Sequence, residues 1–257
     1  MLLAVDIGNS NVVIALHDGQ KWVHLLRMPT LPEESPLYYK MKVADHFFEN
    51  GIDRGQVDRI ILSSVVPEMR LQLASILEEL FGQEVIIVGP AIYPKIPLRI
   101  VRTDQIGTDL VANAAAAYAL LGKDTIVVDF GTALSITIVN AKGEIEGVNI
   151  APGLKTAIKA LVGNTAQLPE VPLEMPQSAI GKDTITAIQS GILIGYVGLV
   201  RHQLASIRSE LGAQYVAVAT GGLSSILTEL EDEFVQVNKN WTLEGLRIIA
   251  DWLSSSH

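Results

Sequence analysis

The feature that most constrains this chain is a repeat: an apolar run ending in aspartate, a tight glycine turn, then a second apolar run, once near the start and once near the middle. The first copy runs through residues 2–5, Asp6-Ile7-Gly8-Asn9-Ser10-Asn11 and residues 12–16. The second runs through 126–128, Asp129-Phe130-Gly131-Thr132-Ala133 and 134–139. Glycine lets the backbone bend sharply and lets a ligand approach it, and the amide or hydroxyl side chains beside it can donate to phosphate oxygens. An aspartate closing each first strand stands where a metal bound to those phosphates would lie. A single turn of this kind reads equally well as a hairpin with an Asx-type turn. Two in register, with Thr220-Gly221-Gly222 after a third apolar run at 215–219, point to two facing halves that hold a nucleoside triphosphate between them.

A length of 257 residues allows one large or two modest domains. The repeat selects two, 1–115 and 116–257. Hydrophobic residues at 49% and charged residues at 18% describe a compact globular chain. A net charge of −9 without a basic run argues against a nucleic-acid partner. The absence of cysteine removes disulfides and thiolate metal sites and is compatible with a reducing cytoplasm. The first strand begins at Leu2, leaving no room for a cleavable signal. The most apolar helical stretch, 191–200, is about half of what a membrane span needs. The expectation is a soluble cytoplasmic protein that takes a small ligand, with no membrane and no nucleic-acid partner.

Local patterns set the fold class as α/β. Strands are expected at 2–7, 11–18 and 21–28 in hairpin order, with Asp18-Gly19 marking the second turn. Helices around 38–50 and 67–81 alternate with strands at 59–63 and 84–88. Three strands followed by alternating helix and strand is the order of a ribonuclease H-like layer. The second half repeats it with strands at 125–129, 134–140, 143–150, 214–219 and 234–237. Residues 107–121, rich in alanine, form a helix between the halves.

Phosphoryl transfer asks a protein for positioning, charge neutralisation and a group that orients the attacking hydroxyl. Gly8 to Asn11 and Gly131 to Ala133 can cradle phosphates through backbone N–H groups, and Asp6 can hold Mg²⁺ through water. The base is sought in Gly107-Thr108-Asp109-Leu110, at the start of the alanine-rich helix, where Asp109 reads either as a first-turn acid complementing the helix dipole or as a catalytic carboxylate. Thr165-Ala166-Gln167-Leu168-Pro169 and Ile180-Gly181-Lys182-Asp183-Thr184 read as loops or helix caps. The five histidines are scattered without ligand spacing. Gly191, Gly195 and Gly198 share one helical face, open to close packing inside the chain or against a second copy.

Taken in order, Asp6-x-Gly-Asn-Ser-Asn, Gly107-x-Asp109, Asp129-x-Gly-Thr-Ala, Ala151-Pro152-Gly153-Leu154, Thr165-Ala166-x-Leu168-Pro169, Gly181-x-x-Thr184 and Thr220-Gly221-Gly222 resemble the type III pantothenate kinases nearly end to end. That resemblance implies two ribonuclease H-like domains of the acetate and sugar kinase/Hsp70/actin superfamily, mixed sheets flanked by helices. It implies ATP bound by Asp6, Ile7, Gly8, Asn9, Ser10, Asn11, Val12 and Val13 with a contact from Thr132, and a monovalent cation (K⁺ or NH₄⁺) on Asp129. It implies pantothenate bound by Gly107, Thr108, Asp109 and Leu110, with Asp109 accepting the proton of the acceptor hydroxyl. It also implies a homodimer in which Thr184 reaches the neighbouring subunit's pantothenate. The chain departs from the family pattern at Leu110, usually arginine, and at Ile100, usually tyrosine. The implied activity is ATP-dependent phosphorylation of pantothenate to 4'-phosphopantothenate, the first step of coenzyme A biosynthesis. A kinase for another small alcohol and a non-catalytic nucleotide-binding regulator are the alternatives.

Overall fold

The computed structural model describes residues 1–163 and 171–255. They divide into two compact units, Met1–Ala119 with Thr242–His257, and Leu120–Trp241. The first unit is built on β1 (Leu2–Ile7), β2 (Asn11–His17), β3 (Trp22–Pro29), α1 (Pro36–Glu49), β4 (Arg59–Ser64), α2 (Pro67–Phe81), β5 (Val85–Ile87) and α3 (Thr108–Leu121). Its sheet runs β3-β2-β1-β4-β5. The first three strands are antiparallel neighbours, and β4 and β5 lie parallel to β1. Alternation decides the two faces. Leu3, Val5, Ile7, Ile14, Leu16, Ile60 and Leu62 meet Tyr39, Val43 and Phe47 of α1 and Met69, Leu73 and Leu77 of α2. Asp6 lies on the opposite face with its register partner Ser63, whose hydroxyl meets Thr108 of α3.

The second unit carries β6 (Thr125–Phe130), β7 (Ala133–Val139), β8 (Ile145–Pro152), α4 (Leu154–Gly163), α5 (Thr184–Gln189), α6 (Gly195–Leu211), β9 (Val216–Thr220) and β10 (Gln236–Val237). The order β10-β9-β6-β7-β8 reproduces the first sheet, with β6 in the place of β1. Ile126, Val128, Phe130, Leu134 and Ile136 pack on Leu193, Tyr196, Val197, Val200 and Leu204. Both units thus show the three-strand meander followed by parallel strands that the sequence patterns predict.

Two features differ from the sequence expectations. A further helix, α7 (Trp241–Ser255), follows β10 and returns to the first unit rather than staying with 116–241. It reaches β4 through Arg59 Nη1, which donates to Asp251 Oδ1 at 2.9 Å, and β3 through Trp22 Nε1, which donates to Glu244 Oε1 at 2.6 Å. A Cβ built on Gly245 would stand 1.8 Å from Ala112 O, so the glycine is what lets α7 lie against α3. Second, 191–200 is part of one continuous helix, Thr184–Leu211, of 28 residues, which is long and apolar enough to cross a membrane (mean hydropathy 1.3). The length argument drawn from 191–200 therefore does not hold. This helix also lays Leu193, Tyr196, Val197, Val200 and Leu204 into the core of the second unit.

Candidate active site

The turn after β1 is closed by Gly8 N, which donates to Asn11 O at 2.9 Å, leaving Asn9 and Ser10 exposed at its tip. The start of the next segment latches it from below. Thr30 Oγ1 donates to Gly8 O at 2.6 Å and Thr30 N to Ser10 O at 3.0 Å. A Cβ on Gly8 would find nothing nearer than Asn11 O at 3.4 Å, so the turn is open on its outer side. Ile7, Val12 and Val13 are buried in the sheet, so they can serve a ligand only through their backbone. Asp6 is partly buried, with its Oδ1 enclosed.

The same sheet edge holds the start of α3. Thr108 Oγ1 lies 2.9 Å from Ser63 Oγ and accepts from Ser64 N at 3.0 Å, which brings Gly107-Thr108-Asp109 to the end of the strand beside Asp6. Thr108 is thus an anchor of the helix start. Asp109 Oδ1 accepts from Leu110 N at 2.9 Å. Desolvation pushes the Asp109 carboxyl above its ordinary 3.8, and that amide hydrogen bond pulls partly the other way. A Cβ on Gly107 would fall 2.4 Å from Asp109 Oδ1, so only glycine leaves the carboxylate in this place. Leu110 is buried.

In the second unit, Gly131 N donates to Ala133 O at 3.1 Å and the tip is Thr132 alone, exposed. Here the turn is caged. Thr132 O accepts from Gly153 N at 3.0 Å and from Thr156 Oγ1 at 2.7 Å, and a Cβ on Gly153 would lie 2.3 Å from Gly131 O. Asp129 pairs in register with Thr220. Gly221 follows at φ +90°, where a Cβ would be 2.5 Å from Asp129 Oδ1. The third glycine turn therefore belongs beside Asp129. Thr184 opens α5, exposed, next to an Asp183 carboxylate that accepts from Thr186 N at 2.9 Å in a capping box. That hydrogen bonding holds Asp183 below its ordinary pKa. The stretch Thr165-Ala166-Gln167-Leu168-Pro169 lies outside the described residues.

Residues 2–206 match the model of the type III pantothenate kinase family. The chain belongs to that family. A type III pantothenate kinase of Syntrophus aciditrophicus is 35% identical over 249 residues, 97% of this chain and 98% of the relative, and one of Syntrophotalea carbinolica matches equally well. Among solved structures, a protein of Campylobacter jejuni described as a Baf family transcriptional activator superposes with TM-score 0.62 at 19% identity, covering 98% of this chain and 99% of that one. Component A of the (R)-2-hydroxyglutaryl-CoA dehydratase of Acidaminococcus fermentans superposes with TM-score 0.56 at 12% identity over 100% and 99%. At such identities the superpositions speak for the fold, two mixed sheets flanked by helices in the actin-like ATPase manner.

In this pantothenate kinase, sequence reading misses the residues that support the site. Ser63 and Ser64, the polar pair closing an apolar strand, hold Thr108. Thr30 holds the first turn, and Thr156 the second. The signals are weak: a hydroxyl after a strand is common, and its partner is tens of residues away.

Proposed function

We propose that this pantothenate kinase transfers the γ-phosphoryl group of ATP to pantothenate, giving 4'-phosphopantothenate and ADP, the first step of coenzyme A biosynthesis. The observation that carries the reading is Asp109, a desolvated carboxylate anchored through Thr108 to the strand end next to Asp6. Its raised pKa makes it a stronger base than an ordinary carboxylate. Asp109 accepts the proton of the acceptor hydroxyl as that oxygen bonds to phosphorus and the bond to the ADP oxygen breaks. Asp6 through Val13 and Thr132 bind ATP, the first turn through the backbone of Gly8 and its exposed tip. Gly107, Thr108, Asp109 and Leu110 bind pantothenate.

The hard oxygen of the partly buried Asp6 carboxylate suits Mg²⁺, and that of Asp129, beside the glycines 131 and 221, suits K⁺ or NH₄⁺. When bound, these ions supply neutralisation of phosphate charge. The enzyme works in the cytoplasm as a homodimer. In support, Cβ atoms built on Gly191, Gly195 and Gly198 meet nothing within 4 Å among the described residues, so that flat face is available to a second copy, with Thr184 of each subunit reaching the other's pantothenate. One observation favours a second reading, a different small alcohol as acceptor: Leu110 and Ile100 offer no polar group. A coupled ADP-release assay with pantothenate and a panel of small hydroxyl compounds tests both. Pantothenate-dependent release is expected; release with another compound alone selects the second reading, and release with none leaves a nucleotide-binding regulator.

A further inference from the structure

After β5 the amide of Val88 donates to Leu62 O at 2.8 Å, so the chain leaves the sheet one rung before Ser63 and Ser64. Those two serines hold Thr108. The segment that follows Val88 and the start of α3 therefore hang from one sheet edge of one unit. Tyr93 opens the short helical turn Tyr93–Lys95 in that segment and is 4% exposed. Its hydroxyl is buried and has no hydrogen-bond partner among the described residues. Leaving a buried hydroxyl unpaired costs free energy, and such a group calls for an account. Ile96 and Leu98 in the same stretch, and Leu110 at the start of α3, are buried as well. Burial, and after it the charge of Asp109, push the phenol up to about 12, so it is a neutral donor throughout the physiological range and lies within the field of the base.

We propose that Tyr93 orients the acceptor: its hydroxyl donates to an oxygen of the bound alcohol other than the one Asp109 deprotonates. The missing partner is thus the substrate. A site built to hydrogen-bond a substrate oxygen discriminates against analogues that lack it, because the protein group is then left unpaired. Tyr93 is accordingly a specificity-determining residue of the acceptor site.

The inference rests on the kinase reading above, and the test separates the two. Tyr93→Phe removes only the hydroxyl. With pantothenate as acceptor, its KM is expected to rise about tenfold, the scale of one hydrogen bond, while KM for ATP stays within about twofold. The melting temperature is expected to be unchanged or higher, since no internal hydrogen bond is lost. An unchanged KM for pantothenate in an active protein overturns this inference alone. A lowered melting temperature with both KM values disturbed assigns the hydroxyl to the fold and also overturns it. Wild-type protein without pantothenate-dependent ADP release overturns the kinase reading and this inference together.

Discussion

The two glycine turns are the same device held in different ways. β1 and β6 have the same burial pattern, four buried residues, a partly buried aspartate and a buried residue before the glycine. Around the first turn there is space: a two-residue tip, a latch from Thr30, and ordinary contact distance at Gly8. At the second the glycine is no tighter, with Ala133 O at 3.4 Å from a Cβ on Gly131, but Gly153 and Thr156 clasp the carbonyl of its one-residue tip and Gly221 abuts Asp129. The unit with the open turn also holds Asp109. The duplicated strand order is thus held differently in the two units, with a latched turn and an open tip in the first and a turn clasped by Gly153 and Thr156 in the second. Backbone topology can repeat while function does not, because function depends on a few side-chain contacts at the strand ends.

The comparison breaks first at Asp109. Asp109→Asn should lower turnover on the order of 10²-fold or more with ATP binding intact, and near-wild-type turnover would return the base to some other group. The same variant has a stability signature. A carboxyl whose pKa is raised by folding contributes stability that is present below the unfolded value of about 3.8 and lost as pH rises through the folded value. At neutral pH the native state therefore carries a penalty, and Asp109→Asn should melt no lower than wild type. For the wild type, kcat/KM should fall on the acid side through a pKa above 3.8, a limb absent from the variant's residual rate.

Next come the turns themselves. Gly153→Ala forces a methyl into backbone 2.3 Å away and should cost about 2–3 kcal/mol by thermal or urea unfolding. Gly8→Ala meets only ordinary contact and should stay within about 1 kcal/mol of wild type while KM for ATP rises several-fold. Equal stability losses at both positions would erase the distinction between an open and a caged turn. The smallest effect concerns Asp129. Replacing Na⁺ by K⁺ or NH₄⁺ should raise the rate a few-fold, since a hard oxygen site selects by size as well as charge. Asp129→Asn should flatten that difference; equal rates in all three salts with the wild-type protein would remove the cation.

Much of this was legible before folding, and the residues show why. Alternation in 2–7 and 125–130 reports burial one residue at a time, so strands, turns and their order follow from local chemistry. The ordered motifs from Asp6 to Gly222 carry the family for the same reason: each is a short backbone conformation with its own residue requirement. The helix α7 is absent from the sequence expectations although Leu243, Leu246, Ile249 and Ala250 recur at helical spacing and are buried, because Gly245 in its middle weakens the pattern and only the closeness of Ala112 explains it.

By itself the sequence determined the repeated strand–turn–strand units, the α/β class and the candidate carboxylates, all properties of neighbouring residues. Only the tertiary structure decided that α7 joins the first unit, that Thr108 is fastened to Ser63 and Ser64, and that, among the described residues, Cβ atoms built on Gly191, Gly195 and Gly198 meet nothing within 4 Å and the Tyr93 hydroxyl is buried without a partner. Each of these is a relation between residues far apart in the chain. Periodicity carries no record of such a relation, because it comes into being when the backbone closes and two side chains compete for the same space or the same hydrogen bond.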